Sequence, residues 1–348
     1  MTDGTGQRLR PVLLVAILPL ALLLTGCDSV SPVQSWWGFE EAKSDFARAL
    51  WGLMDTIVWA AAFVFVVVEA VLFVAVLRFR ARRAGVLPKQ THGNTPVEVI
   101  WTIMPAVVLA FVAIPTVRTI FASYHPDRNG PVDLRIRVIG HQWWWEFQYP
   151  DLGITTANEM HFPAGQRVAV AIESADVIHA FWFPELSGKR DAIPTHVNEL
   201  AWTADRPGIY YGQCTQLCGT SHANMRMRAV AHDAAGWQRW VQAMQTANGT
   251  PAQGTPDQIA RGHQLVTTGA CVGCHTIAGT PLQAHVGPNL TRFGERTTLG
   301  AGLYANTQEN LIRWLKNPQE AKPGNKMPNL GLSDEDAAAI AAYLRSLR

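Results

Sequence analysis

The chain has 348 residues, enough for two or three domains, with 48% hydrophobic residues and a formal net charge of +2. So even a balance argues against a nucleic-acid partner, which calls for a basic surplus. The apolar residues concentrate in three blocks before residue 121, and everything after Tyr124 reads as soluble. The expected class is multidomain, a membrane-anchored N-terminal third carrying soluble domains.

The first block is "RLRPVLLVAILPLALLLTGCDS". Arg8 and Arg10 precede an apolar run, Val12 to Leu24, that is too short to span a bilayer comfortably. It ends in Leu24-Thr25-Gly26-Cys27, which resembles the bacterial lipobox. Residues 1–26 are then a lipoprotein-type signal peptide, Cys27 is the lipidated residue, and 27–49 form an exported segment. The second block, Leu50 to Leu77, holds Glu69, and the third, Val97 to Ile120, holds Glu98, Pro105 and Pro115. Both are transmembrane-helix candidates, and together they predict a two-helix hairpin over 50–120. The loop between them carries Arg78, Arg80, Arg82, Arg83 and Lys89 and no acid, so it faces the cytoplasm and both ends of the mature chain face outside. A carboxylate such as Glu69 is costly in hydrocarbon and is expected to face a polar helix interface, which implies a larger membrane complex.

From Val132 the pattern changes to short runs such as "VDLRIRVIG", "QRVAVAIESAD", "NELAWTAD", "GIYYGQC" and "MRMRAVAHD", separated by turn residues. They predict an all-β sandwich over 121–245. "TANGTPAQGTP" supplies a linker at 246–256. Residues 257–348 are helical in pattern, and their last helix opens on a capping box formed by Ser333 and Asp336.

Five cysteines sort the chemistry. Cys271 and Cys274 lie in "CVGCH", the c-type haem attachment signature, with His275 as the proximal iron ligand. Met327 is the only methionine after His275, and His285 follows that histidine too closely in the chain. Met327 is therefore the expected second axial ligand, one that raises the haem potential. Cys27 fits the lipid, which leaves Cys214 and Cys218 in "CTQLCGTSHANM" beside His222 and Met225. Zinc prefers four Cys or His ligands, and methionine suits it poorly. Thiolate, imidazole and thioether together select copper, and two cysteines suggest a copper pair that needs a further histidine from elsewhere.

The stretches "TPVEVIWTIMPAVV", "GHQWWWEFQYP", "DVIHAFWFPELSGKRDAIP" and "YYGQCTQLCGTSHANM" resemble subunit II of haem–copper cytochrome c oxidase, over roughly Phe46 to His232. With the lipobox and the haem motif, the whole chain resembles the fused caa-type form. The resemblance implies a cupredoxin-like sandwich and an all-α cytochrome c domain after the hairpin. It also implies the dinuclear copper centre CuA, held by His179, Cys214, Cys218, His222, Met225 and the backbone carbonyl of Gln216. In the family the Gln216 position is often glutamate, which helps hold magnesium at the subunit I boundary. An amide is the weaker ligand for a hard cation, so the magnesium contact is in doubt. Trp143 matches the tryptophan of electron uptake, and Glu98 the carboxylate at the mouth of a proton path. Trp145 reads as packing, and His161, His196 and His232 as ordinary surface or structural histidines.

The expected function is that of the electron-input subunit of a haem–copper terminal oxidase. Electrons pass from cytochrome c, or directly from a quinol:cytochrome c reductase, through the covalent haem c to CuA. They continue to the catalytic subunit, which reduces oxygen to water and translocates protons. Subunit I and subunit III are the expected partners in a bacterial inner membrane, with the soluble domains on the periplasmic side. The alternatives are the matching subunit of a CuA-type nitric oxide reductase, or a copper-delivery module.

Overall fold

The computed structural model describes residues 42–79, 90, 92–123, 130–252 and 254–348. The signal segment, Cys27, and Arg80, Arg82, Arg83 and Lys89 of the basic loop lie outside these residues.

Ser44 opens helix α1 (Asp45–Arg78) by accepting the Ala47 amide at 2.9 Å. Helix α2 (Thr95–Ser123) contains Pro105 and Pro115. The Thr102 and Thr116 hydroxyls donate to the carbonyls of Glu98 and Val112, each at 2.8 Å. Both helices are long and apolar enough to cross a membrane, and they turn most of their large apolar side chains outward. At the helical rise, the 34 residues of α1 extend about 51 Å, beyond a hydrocarbon core of about 30 Å. Its first turn is anchored in the soluble part instead. Asp45 accepts the Thr203 amide at 2.7 Å and pairs with Arg167 at 3.2 Å.

The alternating runs form ten strands. β1 (Leu134–His141), β2 (Trp144–Tyr149), β3 (Ile154–Ala157), β5 (Arg167–Ser174) and β8 (Asn198–Thr203) make a five-stranded sheet in the order β3-β2-β1-β5-β8. β4 (Glu159–Pro163), β9 (Gly208–Gln213) and β10 (Arg226–His232) make a three-stranded sheet, β4-β10-β9. β6 (His179–Phe181) pairs with β7 (Arg190–Ala192). In β1, Leu134, Ile136 and Val138 are buried while Arg135 and Arg137 are exposed, the period of a strand with one face on the core. Both sheets contribute to one core that includes Trp145, Phe147, Tyr149, Phe162, Phe181 and Trp202. Each such side chain contributes about 1.5–3 kcal/mol on burial.

The all-β reading up to Gln245 needs one correction, because helix α3 (Ala234–Gln245) closes this domain. Asp233 caps it, accepting the Gly236 amide at 2.6 Å. Trp237, Trp240, Val241 and Met244 then fall on one face, which packs on the sandwich core. The period of two in β10 simply gives way to a period near 3.6.

The C-terminal part contains α4 (Asp257–Thr268), a short hairpin of β11 (Thr298–Leu299) and β12 (Tyr304–Ala305), α5 (Gln308–Lys316), α6 (Pro318–Ala321) and α7 (Asp334–Ser346). α4 and α7 cross where Gly262 meets Ala339. A Cβ at Gly262 would lie 2.0 Å from the Ala339 carbonyl oxygen, so only glycine permits the approach. Ser333 caps α7 by accepting the Asp336 amide at 3.1 Å. The Asp336 carboxylate does not complete a box; it pairs with Arg261 at 2.7 Å.

Candidate functional site

One loop and one strand supply the sulfur cluster. Cys214 follows β9 directly, and its amide donates to the Met225 carbonyl at 2.9 Å, closing the loop that leads into β10. Cys218, His222 and Met225 lie on that loop, while His179 begins β6 across the sheet. Sγ of Cys214 and Sγ of Cys218 are 3.7 Å apart. His179 Nδ1 lies 4.0 Å from Cys214 Sγ, and His222 Nδ1 lies 3.5 Å from Cys218 Sγ. Each sulfur also has one weak donor nearby, the Gln216 carbonyl at 3.3 Å from Cys214 and Met225 Sδ at 3.9 Å from Cys218. The structure thus brings all six sequence-predicted groups together around two sulfurs. Two soft sulfurs flanked by imidazole nitrogens, a thioether and a carbonyl are a donor set suited to copper.

Electrostatics favours a charged sulfur here. The Cys214 thiol is pulled down to about 4, chiefly by the Cys218 thiol and then by His179 against the effect of burial. Its partner Cys218 is pushed up, because a second thiolate beside the first is unfavourable without a cation. Burial alone would lower His179, but Asp176 and Cys214 outweigh it and raise its pKa.

Asp176 is a residue of this site that sequence reasoning missed. Its Oδ1 lies 2.8 Å from His179 Nε2, which leaves Nδ1 turned toward the sulfurs. Burial would raise the Asp176 carboxyl, yet hydrogen bonds from His179, Gln142 and Val177 hold it well below the usual carboxylate range. The i, i+3 spacing of Asp176 and His179 in "DVIH" was the available signal.

A second site lies in the helical part. A cavity of about 210 Å³ is lined by Cys271, Cys274, His275 and Met327, and on its far side by Trp143 and Trp144 of the β domain. His275 Nδ1 donates to the Pro288 carbonyl at 2.8 Å, which leaves Nε2 as the free lone pair. Burial lowers the His275 pKa and keeps the ring neutral, as a metal ligand requires. Trp314 Nε1 donates to Met327 Sδ at 3.2 Å. His285 is exposed and absent from the cavity wall. Two thiols, an imidazole and a thioether around an apolar cavity fit a covalently attached haem.

Trp143 stands between the two sites and is 7% exposed. Its Nε1 donates to the Cys218 carbonyl at 2.9 Å, beside Gln142 Nε2 at 2.8 Å. The turn after α6 covers it. There Lys322, 3% exposed, donates to the Trp143 carbonyl, and burial pulls its ammonium down to about 7. Glu98 is remote from both sites at the start of α2, where its Oε1 accepts the Asn94 amide at 3.0 Å in a helix-capping role. His161 and His232 form a half-buried pair, Nδ1 to Nε2 at 2.9 Å, stacked on Trp240, in keeping with a structural role. His196 is exposed.

Comparison with known proteins places these features in context. Residues 32–119 match the family described as cytochrome c oxidase subunit II, transmembrane domain, and residues 152–231 match its periplasmic domain. Residues 259–348 match the cytochrome c family. The chain is 37% identical to cytochrome c oxidase subunit 2 of Alkalihalophilus pseudofirmus, over 94% of this chain and 95% of that protein. It is 32% identical to the Bacillus subtilis protein of the same name, over 97% of this chain and 98% of that one. Among solved structures, the periplasmic domain of cytochrome oxidase subunit II of Bradyrhizobium japonicum is 34% identical. That match covers 33% of this chain and 94% of that one, with a TM-score of 0.32.

Proposed function

The chain belongs to the cytochrome c oxidase subunit II family, in the form that carries a C-terminal cytochrome c domain, and from this we propose a specific electron route. Electrons enter at a covalent haem c in the C-terminal domain, pass to a dinuclear CuA centre, and continue to the catalytic subunit that reduces oxygen. The single observation that carries this reading is that Trp143 both walls the haem cavity and hydrogen-bonds the Cys218 carbonyl. As a subunit of a haem–copper terminal oxidase the protein acts within a membrane complex. We assign subunits I and III as its neighbours there, and a cytochrome c or a quinol:cytochrome c reductase as its donor. The alternatives of a nitric oxide reductase subunit or a copper-delivery module have no support in the relatives.

When bound, the copper pair and the haem supply one-electron carriers that change charge without bond-making. The chain's own residues do the rest. Cys271 and Cys274 would tether the haem, and His275 Nε2 and Met327 Sδ would be its iron donors. Cys214, Cys218, His179 and His222, together with Met225 Sδ and the Gln216 carbonyl, would hold the copper pair, which would supply a one-electron carrier there. The Gln216 amide offers magnesium no charge, which makes it a weaker ligand for that cation than a carboxylate. Glu98 at the cytoplasmic end of α2 is assigned to the mouth of a proton path, its carboxylate also serving the helix start. The membrane is taken as bacterial, with the soluble domains outside and Cys27 as a lipid anchor.

Two substitutions test the two sites separately. In Cys218→Ser, the near-infrared band and spin-resonance signal of the copper pair should vanish while haem attachment is retained. In Met327→Ala, the haem potential should fall and its spectrum shift while the copper signal is kept. An unchanged copper band in the first variant, or an unchanged haem in the second, would overturn the corresponding ligand assignment.

A further inference from the structure

Two buried polar side chains, one on each side, tie the β domain to the haem-binding domain. Glu159, 2% exposed at the start of β4, reaches into the β11 loop. Its Oε1 accepts from the Thr297 amide and hydroxyl at 2.9 and 2.7 Å, and from the Thr298 amide and hydroxyl at 3.0 and 3.2 Å. Lys322 reaches the other way. Its Nζ donates to the Trp143 carbonyl of the β domain and to the Gly300 carbonyl at 3.1 Å. Between these points Ser221 Oγ donates to the Pro323 carbonyl at 2.6 Å, and the Arg226 amide donates to the Ala301 carbonyl at 3.0 Å.

The turn approaches Trp143 through a residue without a side chain. Gly324 has φ +78°, and a Cβ there would sit 3.1 Å from the edge of the indole. A side chain at this position would therefore press on the ring. Three residues further along lies Met327, on the wall of the haem cavity.

A buried polar group is tolerated only where it is paired. The four hydrogen bonds accepted by the Glu159 carboxylate all come from the haem-binding domain, and Lys322 makes one of its two in the β domain. Separating the domains would strip these bonds, so each residue works as a fastener rather than as core packing of its own domain.

We propose that Lys322 and Glu159 are positioning residues: together they latch the haem-binding domain over Trp143 and reserve its indole for electrons from this chain's own haem. The inference rests on the route proposed above, and it adds that a separate donor protein has no access to Trp143. In the step concerned, one electron leaves the haem and one arrives at the copper pair, with no bond made or broken and no proton moved.

The test uses the assembled, full-length oxidase carrying Lys322→Met or Glu159→Gln. One electron is injected into the haem by a photoexcited ruthenium dye, and haem reoxidation and copper reduction are followed optically. Each variant should transfer severalfold more slowly, because the haem-binding domain is no longer held in place over Trp143. The midpoint potentials and the copper spin-resonance spectrum should stay unchanged. In stopped-flow mixing with a reduced soluble cytochrome, the unsubstituted protein should reduce its haem before its copper, and the variants should lose that order. Unaltered transfer rates in both variants overturn the latch. So does a slower rate accompanied by shifted potentials, since driving force would then explain it. If the unsubstituted protein passes no electron from haem to copper, the route itself falls, and the latch with it. The second variant keeps the test open if the first fails to fold.

Discussion

The His179 ring holds Nε2 2.8 Å from Asp176 and Nδ1 4.0 Å from Cys214 Sγ, so one carboxylate decides which nitrogen faces the sulfurs. Outer partners of this kind raise the basicity of a ligating imidazole and fix its orientation, and losing one typically costs about 10–100-fold in metal affinity. Asp176→Asn should therefore bind copper about 10–100-fold more weakly in competition with a chelator, with its thiol content unchanged. Equal affinity would show that the aspartate serves only its backbone bonds to Gln142 and Val177. Met327 stands in a comparable position, since Trp314 Nε1 donates to its sulfur and fixes how the thioether meets the cavity.

At the scale of elements, the haem-binding domain depends on how closely α4 and α7 cross. The Gly262 position tolerates no side chain, because an added Cβ would overlap the Ala339 carbonyl. Val266, Ile340, Tyr343 and Leu344 complete the buried core around the crossing. Gly262→Ala should destabilise this domain by about 1–3 kcal/mol, the usual cost of overpacking. The melting of the haem absorbance should move to lower temperature while the copper signal melts as before. A melting curve identical to that of the unsubstituted protein would mean that the two helices slide apart freely. α1 shows the same dependence on contacts far along the chain. Its cap Ser44 donates to the Leu186 carbonyl at 2.6 Å, so the membrane helix starts from a fixed point on the β domain.

For the whole molecule, the half-buried His161–His232 pair links stability to pH. Burial first, then the neighbouring His232 and Arg296, hold His161 well below its ordinary value. Burial lowers His232 as well, against the pull of Asp233. Unfolded, both would titrate near 6.5, so above that pH neither state binds these protons and stability is complete. As pH falls below about 6.5, the unfolded chain takes up protons that the folded chain refuses. Stability then declines by up to about 1.4 kcal/mol per pH unit for each histidine. His161→Gln should reduce this slope between pH 7.5 and 5.5 by about half, read as the change in thermal midpoint with pH. An unaltered slope would place the acid sensitivity elsewhere.

What could be read directly from the sequence was whatever depends on residue type and short spacing. Thirteen consecutive residues, Gln213 to Met225, carry five of the six proposed copper donors, and "CVGCH" carries three of the four proposed haem contacts. Hydropathy marked both membrane helices, and alternation marked the long strands, because those patterns repeat every two to four residues. The α3 helix was missed because a single turn-and-cap at Asp233 ends the strand pattern without any break in composition. Glu159 and Lys322 were beyond reach for a different reason. Each is an ordinary polar residue until the fold brings a distant partner within hydrogen-bond range. Lys322 meets the Trp143 carbonyl across 179 positions of chain, and Glu159 meets Thr298 across 139. A sequence can announce ligands whose chemistry is unusual. Which two domains lock together, and over which tryptophan, is decided only when burial leaves those polar groups no other partner.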